Sequence, residues 1–129
     1  MAPYKLFSSD AHVFEPPDLW QTRIEPEFRE RAPYVVREEN TDQWFADGNI
    51  RFGLMGSNIQ AGLRFEERHR LSMVGRYHDV PEAGYDPHVR IKDMDLDGVT
   101  GDVLYPSIAL SGWMIPASDL VSAMFRAYN

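Results

Sequence analysis

A chain of 129 residues is long enough for one domain with its own core, and 43% hydrophobic content is ordinary globular usage, so disorder is not the default. A net charge of −7 argues against a nucleic-acid or anionic-membrane partner, and the lack of cysteine removes disulfides, thiolate ligands and a Cys nucleophile. No basic-then-apolar leader opens the sequence and no apolar run approaches membrane-spanning length, so a soluble cytoplasmic protein is expected.

The short apolar run Tyr4 to Phe7 predicts a strand, which delivers Asp10 and His12 at its C-terminal end. Two residues apart, they lie on the same side of an extended chain. A carboxylate and an imidazole projecting together from a strand end are a natural first pair of ligands for a divalent metal. In the plainer alternative, Asp10 is a turn residue and His12 a satisfied interior histidine. Glu15 follows just before Pro16-Pro17, a pair that stops regular structure. It reads either as a third metal ligand or as a cap for that proline segment.

Glu25 to Arg31 has proline near its start and acids in its first turn, which predicts a short helix ended by Pro33. The β-prone runs Tyr34–Val36 and Gln43–Phe45, then the turn signal Ala46-Asp47-Gly48-Asn49 before Ile50–Phe52, predict an antiparallel meander over residues 34–53, an excursion from the main architecture. Residues 56–85 show no sustained period and read as a long irregular loop, with a candidate helix over Ala61 to Val74.

Order returns at Asp86-Pro87, an N-cap followed by proline at the first helical position. Pro87, Ile91 and Met94 share a helical face, and Gly98 stands where a helix stop is expected. Asp102-Val103-Leu104-Tyr105-Pro106 then predicts a buried-type strand. Strand, helix, strand in that order is a βαβ unit with parallel pairing, hence an α/β fold. Ala117 to Asn129 has helical spacing and no stop signal, so the chain is expected to end with a helix under way.

Other conspicuous residues have ordinary readings. Asp93, Asp95 and Asp97 scatter around a helix and form a solvated acidic face rather than a cation ladder. Trp20, Trp44 and Trp113 are expected in core or loop packing, and the Arg64 to Arg70 cluster on a mixed solvated surface.

Ser9-Asp10-Ala-His12-Val-Phe-Glu15-Pro16-Pro17-Asp18-Leu-Trp20 resembles the N-terminal signature of amidohydrolase-related proteins, in the branch near aminocarboxymuconate semialdehyde decarboxylase. Gly84-Tyr85-Asp86-Pro87-His-Val-Arg90-Ile-Lys-Asp93-Met94-Asp95-Leu-Asp97-Gly98-Val99 is similar to a second block of that branch, followed there as here by a strand and proline. The resemblance implies a metal-dependent TIM barrel whose zinc is held by a strand-one acid-x-His pair, middle-strand histidines and a late aspartate. It maps the pair onto Asp10 and His12, and Glu15 onto an acidic position of this branch. The implied chemistry is a metal-activated water attacking an amide, ester or related bond of a small organic substrate.

A TIM barrel needs roughly 250 residues and eight strands, and this chain is expected to supply two of them. His69, His78 and His88 do not fall on strand ends. The expectation is therefore an α/β chain, the N-terminal portion of a (β/α)8 amidohydrolase-type domain spanning 1–129, with the 34–53 meander inserted. Alone it is expected to be inactive, with its catalytic groups beyond residue 129. The rival activity is nonoxidative decarboxylation of an aromatic or unsaturated acid, and the rival of another class is a non-catalytic small α/β binding module. A homodimer is an assembly allowed by analogy, with the meander as its interface.

Overall fold

The computed structural model describes residues 4–129; residues 1–3 of the expected 1–129 unit lie outside the described residues. In chain order the regular elements are β1 (Leu6–Val13), α1 (Leu19–Arg23), β2 (Tyr34–Arg37), β3 (Asp42–Ala46), β4 (Ile50–Phe52), α2 (Pro87–Asp97), β5 (Val99–Pro106) and α3 (Ser118–Tyr128), joined by short 3-10 turns. They build two separate sheets: β1 pairs with β5 in parallel, and β2-β3-β4 form an antiparallel meander.

The meander follows the sequence signals closely. Asp47 and Gly48 both take positive φ (49° and 85°) in the three-residue loop between the paired Ala46 and Ile50, as an Asp-Gly hairpin loop demands. The Tyr34 hydroxyl donates to the Gly48 carbonyl at 2.7 Å and fastens the loop to β2. Arg31 reaches from outside to Asp47 (2.6 Å) and Asp119 (3.0 Å), linking the hairpin loop to α3.

Helix α2 is bounded as its residues require. The Asp86 carboxylate accepts from the His88 and Val89 amides at 2.7 and 3.2 Å, Pro87 opens the helix, and Gly98 closes it in the left-handed region at φ 71°. Other expectations need correction. The strand expected over residues 4–7 is β1 at 6–13, and that expected over 102–106 reaches back to 99, because each extends the other's parallel ladder. The helix expected over 25–31 is only a 3-10 turn at Pro26–Phe28, and that over 61–74 only one at Phe65–Arg70. Gly62, at φ 83°, breaks the second where it would have started.

The core gathers Trp20 of α1 and Ile24 just after it, Trp44, Ala46 and Phe52 of the meander, Ile108 and Ile115 of the segment after β5, and Leu120, Ala123 and Met124 of α3. The α3 residues recur at i, i+3, i+4, a single helical stripe. The Trp20 indole donates to the Met124 carbonyl at 3.1 Å, and its ring meets Trp44 edge-on at 5.2 Å. By contrast β1 and α2 bury no residue fully: Phe7 is 68% exposed and Leu96 86%. The parallel βαβ unit stands beside the core rather than around it. Trp113, expected in packing, is instead exposed on the 3-10 turn Ala109–Met114.

Candidate metal centre

The β1–β5 ladder is not regular. Ser8 pairs with Asp102 and Ala11 with Leu104, so β1 carries one extra residue in the Ser9–Asp10 stretch. Thr100 is the matching extra residue on β5, between the Leu6–Val99 and Phe7–Gly101 pairs. A bulge bends its strand and re-aims the neighbouring side chain. Asp10 in the bulge and His12 just beyond it face each other, with Asp10 Oδ1 at 3.4 Å from His12 Nε2. The two-residue spacing read from the sequence brings them together.

The other ring nitrogen is engaged as well. His12 Nδ1 lies 2.9 Å from the carbonyl oxygen of Pro106, the last residue of β5. A carbonyl only accepts, so this contact is a hydrogen bond in the ring form that carries a proton on Nδ1, and it turns Nε2 toward Asp10. The Tyr105 ring flanks the imidazole at 6.1 Å. Both side chains keep an open side to solvent, and His12 lines a cleft of about 710 Å³ with Phe14, Leu54, Val80, Arg90 and Leu110. The cleft opens at the carboxyl ends of the parallel strands, where α/β sheets bind their ligands.

Glu15 does not join the pair, and its expected place as third ligand is corrected. It is 2% exposed, and its oxygens accept from the amides of Ile108 (2.9 Å) and Ala109 (2.8 Å). It is a cap, as the alternative reading had it, but of the turn after β5 rather than of Pro16-Pro17. Among the described residues, no three histidines, aspartates or glutamates are grouped so as to hold a metal.

Two further residues shape the site without having stood out in the sequence. Arg90 of α2 donates to Asp102 of β5 at 2.8 and 3.0 Å, and to the His12 carbonyl at 3.1 Å, so one guanidinium ties the helix to both strands. The signal for it was slight: an arginine beside Ile91 in a helix that also carries Lys92 and three aspartates. Tyr77 packs on Phe14 at 4.7 Å, and its hydroxyl is buried without a partner among the described residues. Burial, then the charges of Glu15 and Asp18, push that phenol well above the ordinary tyrosine range. His69, His78 and His88 are exposed, as are Asp93, Asp95 and Asp97 of α2, though Asp93 also borders the cleft.

The fold and the cleft together define a mixed α/β protein with a parallel pair whose carboxyl ends carry an acid and an imidazole. No family model matches the sequence, and no curated protein matches it. Among solved structures the chain is similar to an amidohydrolase from Mycobacterium avium subsp. paratuberculosis K-10, with a TM-score of 0.66 at 13% identity. The match takes in 100% of this chain and 38% of that one, so the chain spans well under half of the neighbour's length. At this identity the likeness is one of fold.

Proposed function

We propose that this chain is part of a metal-dependent hydrolase of the amidohydrolase type, in which Asp10 and His12 are two ligands of a divalent ion, zinc first among candidates. The observation that carries the reading is their separation. Metal–ligand bonds of about 2.0–2.2 Å at a tetrahedral angle set two ligand atoms roughly 3.3–3.5 Å apart, and Asp10 Oδ1 and His12 Nε2 stand at 3.4 Å. The donor chemistry fits as well: a carboxylate oxygen and an imidazole nitrogen whose partner nitrogen is held by a carbonyl, the usual outer support of a ligating histidine.

A bound zinc supplies Lewis acidity and lowers the pKa of its water toward about 7. The chain's own residues would do the rest of what falls to this part of the site. His12 offers its Nε2 lone pair, Asp10 brings negative charge to offset the ion, and Arg90 holds the strand backbone at His12 in place. Phe14, Leu54, Val80 and Leu110 give the cleft an apolar wall suited to a small organic substrate. The remaining ligands would come from further parallel strands on the open edges of β1 and β5, completing a (β/α)8 barrel. The support for this is the neighbour's greater length and the two-stranded sheet.

Zinc titrated into the chain should perturb the His12 ring resonances. Asp10→Asn and His12→Ala should abolish uptake, while Asp95→Asn on the far side of α2 should leave it unchanged. Zinc held by His12→Ala as tightly as by the parent would end the ligand assignment. Where the missing strands are supplied on one polypeptide, hydrolysis of small amides or esters should appear with metal and vanish in the same two variants.

A further inference from the structure

A carboxylate taken out of water is costly unless its oxygens are satisfied, and Glu15 meets that cost with backbone rather than with a cation. Its two partners, the amides of Ile108 and Ala109, belong to the segment that leaves β5. Two residues before Ile108 is Pro106, whose carbonyl receives the His12 ring at 2.9 Å. Three residues before Glu15 is His12 itself. The contacts therefore close a ring: His12 to the Pro106 carbonyl, along the backbone to Ile108 and Ala109, across to the Glu15 carboxylate, and back along β1. Pro106 closes the ladder opposite Val13 and has no N–H of its own to anchor it, so the direction of its carbonyl depends also on what holds the peptides that follow.

We infer that Glu15 is a positioning residue for His12. By clamping the Ile108 and Ala109 amides it fixes the Pro106 carbonyl, which keeps the proton on His12 Nδ1 and leaves Nε2 bare toward Asp10. The consequence for metal rests on the reading under Proposed function; the consequence for the tautomer does not. A glutamate serves here because two parallel N–H donors need two acceptor oxygens on one side chain. Glutamine supplies one oxygen and sets an NH2 donor against the other amide.

The experiment is nitrogen-15 spectroscopy of the metal-free chain, at a pH where the His12 signals themselves show a neutral ring. The His12 signals are assigned by their loss in His12→Ala. In the parent, His12 should hold its proton on Nδ1. In Glu15→Gln, with helix content unchanged by circular dichroism, the two tautomers should mix. Zinc titrated against the same signals should then bind about ten- to a hundredfold more weakly, the scale of an outer-shell change. Asp10→Asn should lose zinc and keep the Nδ1 proton. A folded Glu15→Gln chain with the parent's tautomer and zinc affinity overturns the inference, as does an Nε2 proton in the parent. Should Glu15→Gln not fold, Glu15→Asp, with the same charge and a shorter reach, is read against the same two outcomes. If Asp10→Asn binds zinc like the parent, the metal reading falls while the tautomer comparison still judges Glu15.

Discussion

Tyr77 shows how much a single side chain can depend on distant company. Its ring is anchored by Phe14 and Trp44, which draws the hydroxyl into the interior beside the charge of Glu15. A buried hydroxyl without a partner costs about 1–3 kcal/mol, so Tyr77→Phe should raise the thermal midpoint. The alkaline limb follows by linkage. The folded phenol titrates above its unfolded value near 10, so its contribution is fully present below about pH 10 and is lost as pH rises beyond that. Denaturant unfolding at about pH 8 and about pH 11 should show a smaller drop for Tyr77→Phe than for the parent. An equal drop would place the alkaline loss elsewhere. At this scale the sequence was readable for Asp10 and His12 as a close pair, since two residues on an extended chain stay within reach, though the bulge at Ser9–Asp10 that aims Asp10 left no sign in the sequence. It was not readable for Glu15, whose partners lie 93 and 94 residues away, or for Tyr77.

At the scale of elements, α2 is a helix held by its ends more than by its faces. It buries no residue fully, so its N-cap and C-terminal glycine matter more than in a helix pinned by a core. Asp86→Ala should lower the thermal midpoint, and the effect should depend on pH. The Val89 and His88 amides hold the Asp86 carboxyl below the ordinary carboxylate range. Its contribution is thus present above the unfolded value near 4 and fades as pH falls through the lower folded value. Parent and variant should converge in thermal scans as pH is taken down through that lower value. Gly98→Ala should cost about 1 kcal/mol from the left-handed backbone alone, since a Cβ there meets nothing within 4 Å. The caps and turns of α2 and the meander were legible because they are local chemistry. The helices expected over 25–31 and 61–74 failed because composition does not show whether any surface exists for them to pack on.

For the whole molecule, the uncovered parallel pair is the dominant physical fact. Parallel sheets are ordinarily covered on both faces, yet Leu6, Phe7, Val103, Leu104 and Tyr105 are all 43–68% exposed, and neither strand has a second neighbour among the described residues. No helix among the described residues is long and apolar enough to cross a membrane. Such a surface should bind a hydrophobic dye and draw copies together. Sedimentation velocity should report association that grows with concentration, and Phe7→Lys with Leu104→Glu should weaken it. A parent chain that stays monomeric over a hundredfold range of concentration would contradict this.

What the sequence determined unaided is whatever depends on neighbours within a few residues. That includes the two-residue spacing of Asp10 and His12, the Asp47-Gly48 loop, the boundaries of α2 and the apolar stripe of α3. Tertiary structure alone decided which elements share the core, that Glu15 spends both oxygens on the turn after β5, and that a carbonyl of β5 arrives beside the His12 ring. Those outcomes hang on contacts between segments some ninety residues apart, and local propensity carries no record of which distant backbone group will arrive beside a given side chain.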